Sequence, residues 1–368
     1  MEALCRPFHG KPKKSFFRTA SLPANMLGLH MENALHIENL SKSYRRPLRK
    51  PGLMGAVQGL FSTRTEEIPA VRDLSFSIQR GEKVGLIGEN GAGKSTTLKM
   101  LTGIIVPTGG NLEVLGRVPW KERRQLALNI GVVFGQRPQL LWDIPVRETF
   151  RLLKTMYRIP EEVYQVTYQE AVGRLGLEPL LAVPVRQLSL GQRMRCDLAA
   201  ALLHAPAIAF LDEPTIGLDL SVKEQVREFI ADMQEKFGTT LLITTHDLKD
   251  ITETCDRLLL LDKGKLLFDG SIKAFEQKYA SDRRIVLEIQ KPMDAAEKTG
   301  LTAELRKLGG TLKEAEGHKV VVEHQEEAAA PALTQLLLSR LPVVDLNLEK
   351  TDIETIVTRI YRQPTGKA

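Results

Sequence analysis

The stretch KVGLIGENGAGKSTTLKML, residues 83–101, leaves few folds open to this chain. Residues 84–87 read as a short apolar strand, the glycines at 88, 91 and 93 as a tight loop, and the residues from Lys94 onward as a helix. Gly88, Gly93, Lys94 and Ser95 fit G-x-x-x-x-G-K-[ST], and the flanking strand and helix supply the context that a bare motif lacks. The residue types follow from what such a loop must hold. Backbone N–H groups around Asn90, Gly91 and Gly93 point into a concave anion nest, and the helix start at Ser95 and Thr96 adds its positive dipole end. Lys94 then reaches the β- and γ-phosphates of a nucleoside triphosphate, and the Ser95 hydroxyl is placed to hold Mg²⁺.

A second apolar run ends in acid: AIAFLDEPTIGLD, residues 207–219. Four apolar residues before Asp212 suit a strand buried on both faces, which delivers a carboxylate to the edge of the sheet where ligands bind. Asp212 would hold the magnesium through water, and Glu213 beside it is the natural base to orient or deprotonate an attacking water.

From Met31 short apolar strands alternate with helical segments, the pattern of an α/β domain. The 368 residues have room for one large domain and a smaller one. Cys5, Cys196 and Cys255 lie far apart without metal-ligand spacing, which favours a reducing compartment and no disulfide framework. The apolar stretch at residues 198–211 contains His204 and Pro206 and falls short of the ~18 residues that a membrane-spanning helix needs. A soluble or surface-bound chain is expected.

The formal charge of +6 is concentrated in two places. Residues 1–30 carry five Lys/Arg against one Glu, and residues 45–64 carry five against none, so the remainder sums to −3. A near-neutral body with two basic attachments argues against a nucleic-acid partner. Residues 1–30, without hydrophobic period, read as sequence upstream of the working start, a disordered basic tail, or an organelle transit segment.

Five elements, in order, resemble the ATP-binding subunit of an ABC transporter over about residues 34–275. They are Gly88 to Ser95, Gln136 in VVFGQRPQLL, LSLGQ at 188–192, FLDEP with GLD at 210–219, and TTHD at 244–247. The resemblance implies a P-loop ABC cassette with a RecA-like core, an antiparallel β subdomain and a helical subdomain at about 137–203. It further implies that Ser189, Gly191 and Gln192 complete the ATP site of a second copy or a homologous cassette, in a head-to-tail dimer. Tyr44 would stack on adenine, with a core tyrosine as the alternative. Gln136 would help hold Mg²⁺ and sense the γ-phosphate, His246 would hold the transition-state geometry with Glu213, and Asp219 would address the opposite subunit's site. Leu190 stands where the family has glycine; leucine is tolerated if the backbone there is ordinary and strained if φ is positive.

Residues 45–67 form a basic insertion whose middle, 53–61, has near-helical apolar spacing, fitting an anionic lipid surface, a membrane partner, or a solvated loop with a short packed helix. After a polar linker at 276–284, a small α+β domain is expected over 285–368, with strands at RIVLEI, HKVVVEH and VVDLNLE, and a role in regulation or dimer support, or more weakly carbohydrate recognition. Its closing LEKTDIETIVTRIYR resembles the ends of ABC-2 type export cassettes, so the motor subunit of an exporter is expected, with an import cassette bearing a regulatory tail or a non-transport ABC ATPase as the alternatives. PQLLWDIP, residues 138–145, is expected either to touch a separately encoded permease or to pack in the core. The expected place is the cytoplasmic side of the inner membrane, bound peripherally. No Asn-Lys-x-Asp element reads guanine, and no internal repeat or heptad suggests a translation or repair ATPase.

Overall fold

A computed structural model describes residues 33–47, 65–135, 138–279, 283–324, 329–350 and 353–362. Three sheets organise them. The largest has strand order β5-β6-β7-β3-β8-β9 and comprises β3 (Lys83–Gly88), β5 (Ile130–Phe134), β6 (Ile208–Asp212), β7 (Thr240–Thr244), β8 (Arg257–Asp262) and β9 (Lys265–Ser271). All its neighbours pair parallel except β8 with β9. The continuous apolar runs of β6 and β7 are explained by burial on both faces. Alternation along β8 divides its leucines: Leu258 and Leu260 enter one core, Leu259 and Leu261 the other.

The second core lies against an antiparallel sheet of order β2-β1-β4, made of β1 (Asn33–Pro47), β2 (Thr65–Gln79) and β4 (Gly109–Val114). Leu35, Ile37, Leu74 and Ile78 from this sheet join Leu86, Phe210 and Leu242 from the large one. Each fully buried side chain of this size contributes about 1.5–3 kcal/mol. The pairing of β1 with β2 runs out to Pro47 opposite Thr65, so the ends of the basic insertion extend a hairpin, with Arg45 Nε on Glu67 Oε1 at 3.2 Å. Its expected amphipathic centre, like residues 1–30, lies outside the described residues.

Helices α1 (Lys94–Leu101) and α2 (Arg123–Ala127) are short and bury Leu98, Met100 and Leu126 in the second core, whereas in the first core α3 (Val146–Met156), α4 (Glu161–Arg174) and α5 (Leu190–Leu202) cluster together through Phe150, Leu175 and Leu198. Helix α5 starts at a capping box in which Ser189 Oγ accepts from the Gln192 amide and Gln192 Oε1 from that of Ser189. Helix α6 (Leu220–Phe237) stops at Gly238, whose φ of 68° serves as a left-handed C-cap. Helices α7 (Leu248–Thr254) and α8 (Ile272–Tyr279) complete this region.

Two titratable groups buried in the helical cluster act in opposite directions. The His204 ring stacks on Tyr157 with centroids 4.1 Å apart and donates Nε2–H to Ile130 O at 3.1 Å; burial pulls its pKa from 6.5 to about 4. Burial pushes Asp197 from 3.8 to about 6, although it accepts the Gln139 and Leu140 amides. Below pH ~6.5 the unfolded chain takes a proton on His204 that the folded chain refuses until about pH 4, so this group lowers stability as pH falls. Asp197 does the reverse between about pH 6 and 4, where the folded chain keeps a proton that the unfolded one releases. Relative to the native chain, His204→Gln is therefore expected to gain up to about 3 kcal/mol between pH 7.5 and 4.5, measured by denaturant unfolding at both pH values.

The third sheet, antiparallel with order β11-β12-β10-β13, contains β10 (Arg283–Ile289), β11 (Gly310–Glu316), β12 (Lys319–His324) and β13 (Val343–Lys350). Helices α9 (Ala295–Lys307) and α10 (Ala330–Arg340) share its core through Leu301, Leu305, Leu333 and Leu337. Strands β10, β12 and β13 coincide with the three expected. Strand β11 was not expected, because this bulged edge strand places only Leu312 and Gly310 toward the core in an otherwise charged sequence. The last helix, α11 (Ile353–Arg362), buries Ile353, Ile356 and Val357 in the first core, not in that of the small sheet. Among the described residues no helix is long and apolar enough to cross a membrane.

Candidate nucleotide site

The carboxyl ends of β3, β6 and β7 meet at one edge of the large sheet, the edge at which ligands bind in such folds. Between β3 and α1 the loop turns through Gly91 at φ 87° and Gly93 at φ 104°; a Cβ on Gly93 would stand 2.6 Å from Ala70 O. Lys94 is buried, and its Nζ donates to the loop carbonyls of Gly88 at 2.5 Å and Glu89 at 3.2 Å. Burial lowers its pKa, and the Glu213 and Asp212 carboxylates oppose that shift. The ammonium thus stands over the loop, turned back on its own backbone. Ser95 is exposed at the helix start, and Thr96, half-buried, follows it in the first turn.

Asp212, at the end of β6, accepts Ser95 Oγ–H on Oδ2 at 3.3 Å and Thr244 Oγ1–H on Oδ1 at 2.5 Å. Glu213 follows with φ 51°, a left-handed backbone that costs a side-chain-bearing residue about 1–2 kcal/mol. Its amide is held on Thr244 O at 2.9 Å, and its Oε1 lies 3.2 Å from His246 Nδ1. Asp247 keeps the His246 turn in place: it caps α7 through the Lys249 amide and receives Lys223 Nζ at 2.6 Å, a bond that holds its carboxyl below the usual range. A cleft of about 500 Å³ opens here, lined among others by Asn90, Ser95, Lys99, Asp212 and Glu213. The oxygen-only pair of Ser95 and Asp212 suits a small hard cation such as Mg²⁺, which takes few protein ligands besides water and phosphate.

The sequence-selected residues fall into two groups. Asn90, Lys94, Ser95, Asp212, Glu213 and His246 come together around this edge, with Gly88 and Gly91 in the loop. Gln136 lies outside the described residues; its neighbour Gly135 lines the cleft. Ser189, Gly191, Gln192, Tyr44 and Asp219 are outside that lining. Ser189 is exposed, and its oxygen accepts the Gln192 amide, which leaves its own proton to donate. Asp219 is exposed at the N-cap position of α6 and makes no capping bond.

Tyr44 is 40% exposed, with Lys42 Nζ 5.5 Å from its ring centroid, so it is not a core tyrosine. Leu190 opens α5 with an ordinary backbone, is 47% exposed, and lays its Cδ2 2.9 Å from where a Cβ on Gly217 would stand. The strained alternative for Leu190 does not arise. The segment after Gln136 divides: Leu140 is buried, Leu141 and Trp142 are exposed. Thr244 was overlooked in the sequence, although a hydroxyl closing an apolar strand beside an acid-ending one is a usable signal.

Residues 71–216 match the family described as ABC transporter. The ABC transporter ATP-binding protein NatA of Bacillus subtilis is 31% identical over 61% of this chain and 89% of its own length. The methionine import ATP-binding protein MetN 2 of Enterococcus faecalis is 28% identical over 83% of this chain and 90% of its own. A solved ATP-binding cassette, described as dimeric in a post-hydrolysis state bound to ADP and Pi, superposes with a TM-score of 0.54 at 26% identity over 65% of this chain and 98% of its own.

Proposed function

Because this chain belongs to the ATP-binding proteins of ABC transporters and is the ATPase of such a transporter, we propose that it drives a separately encoded membrane permease, of the ABC-2 export type, from the cytoplasmic face of the membrane. The observation that carries the ATPase chemistry is the meeting of Lys94, Ser95, Asp212, Glu213 and His246 at one sheet edge. In this reading the loop amides and Lys94 bind the β- and γ-phosphates. Lys94 leaves the Gly88 and Glu89 carbonyls to do so, exchanging neutral acceptors for charged ones. Ser95 and Asp212 would hold Mg²⁺, which when bound neutralises phosphate charge. The Glu213 carboxylate orients the attacking water and takes its proton, while His246 fixes that carboxylate through Nδ1.

Ser189, Gly191 and Gln192 act on the nucleotide of a second cassette, with Asp219 reaching the same partner, in a two-fold head-to-tail dimer. Tyr44 offers its open ring to adenine. The export reading is supported by the closing segment of the chain and by the basic insertion, which would also meet the membrane surface. Leu141 and Trp142, both exposed and the latter with Arg193 5.8 Å from its ring centroid, are the proposed contact with the permease.

One observation favours the import reading: the alignment with the methionine import protein covers 83% of this chain, well past the cassette. Affinity purification of the tagged chain from its native membranes separates the two. A permease recovered with a solute-binding protein would favour import, and a permease without one would favour export. Trp142→Ala is expected to reduce recovery of the permease at least ~10-fold while ATP binding by the isolated chain stays unchanged. Equal recovery would remove Trp142 from the contact.

A further inference from the structure

Helix α11 returns from the small sheet and ends behind the phosphate loop. Ile353, Ile356 and Val357 bury in the first core, which also holds Leu258, Leu260 and Phe268, and Ile360 and Tyr361 pack partly buried on the same core. The Tyr361 hydroxyl donates to Leu261 O at 3.1 Å. Leu261 pairs with Gly88 in the register of β3 and β8, and a Cβ on Gly88 would stand 2.8 Å from that same oxygen. Tyr361 therefore braces the carbonyl against which the first glycine of the loop is packed.

Gly88 opens the Gly88–Glu89 peptide of the loop. Its carbonyl accepts Lys94 Nζ at 2.5 Å. Burial raises the phenol's pKa, the Asp262 and Glu89 carboxylates raise it further, and the Glu89 amide opposes them. The group stays protonated and remains a donor at neutral pH.

We infer that Tyr361 is a positioning residue for nucleotide binding, holding Leu261 O, against which Gly88 packs, so that the loop presents its amides to the phosphates. The inference rests on reading residues 88–95 as the phosphate loop. When Lys94 turns from the Gly88 carbonyl to the nucleotide, the braced Leu261 carbonyl limits how far Gly88 can follow it. Two residues separate β13 from α11, so the small sheet has a short covalent route to the loop.

The test compares full-length Tyr361→Phe, which keeps the ring and loses the hydroxyl, with the native chain and with Tyr279→Phe from the same core. The dissociation constant for MgATP, KM, kcat and the melting temperature without nucleotide are measured. For Tyr361→Phe, Kd and KM are expected to rise about 3- to 10-fold, the worth of one hydrogen bond, with kcat and melting temperature near native; Tyr279→Phe leaves Kd and KM unchanged. A Kd for Tyr361→Phe within twofold of native overturns the inference alone. A native chain that binds no MgATP overturns the phosphate-loop reading beneath it.

Discussion

Full-length chain carrying Glu213→Gln is expected to hydrolyse MgATP at least ~100-fold more slowly than the native chain while still binding it, and to double its mass in light scattering when MgATP is added. Glutamine keeps the shape of glutamate and cannot accept the proton of the attacking water, and a general base contributes about 10²- to 10⁴-fold, or about 3–5 kcal/mol of barrier. The backbone that aims residue 213 is held independently of the carboxylate, by its amide on Thr244 O, so the variant should fold as the native chain does. With hydrolysis blocked, the closed dimer has no route to open. Native turnover in this variant would remove Glu213 from the role of base. Adding Leu190→Gly asks a second question of the same sample. Leu190 has a helical backbone and rests on Gly217, so the dimer is expected with leucine in place. A dimer that forms only after the glycine is added would show that Leu190 weakens the clasp.

Lys94→Ala is expected to weaken MgATP binding about 100- to 1000-fold, read by titration of the purified chain. Lys94 is a buried cation of the site, and two bonds to charged phosphate at about 1.5–2 kcal/mol each, the lower part of the range for charge-assisted bonds, account for this loss. The loss is compounded because the Asp212 and Glu213 carboxylates, which favour the lysine charge, would then face an anionic ligand without it. The melting temperature without nucleotide should change little, since alanine suits the first turn of α1 and relieves the cost of burying an ammonium. Binding within tenfold of native would show that the loop amides alone hold the phosphates.

The nucleotide edge was largely legible because its signals are local. A glycine loop between a strand and a helix, an apolar run ending in Asp212 and Glu213, and a histidine after TLLITT each state their chemistry within about ten residues. Signals that depended on neighbours were read only as alternatives. Tyr44 as ring platform or core residue, Leu190 as ordinary or strained, and Leu140 to Trp142 as surface or core each turned on burial or φ, which a single segment does not carry. Strand β11 escaped because an edge strand needs little apolar pattern when its partner β12 supplies the register.

The amino-acid order by itself fixes the α/β class, the order of the phosphate-binding elements and the ATPase chemistry they imply, since these depend on residue type and short spacing. Packing assigns the rest. Thr244 reaches Asp212 because β6 and β7 lie side by side in register, although 32 positions separate them along the chain. Tyr361 reaches Leu261, the β8 partner of Gly88 and 100 positions away, because the apolar stripe of α11 finds its burial on the cassette core. No periodicity in either segment names its partner, because hydrophobic burial specifies that a face must be covered and leaves the choice of cover to the whole fold.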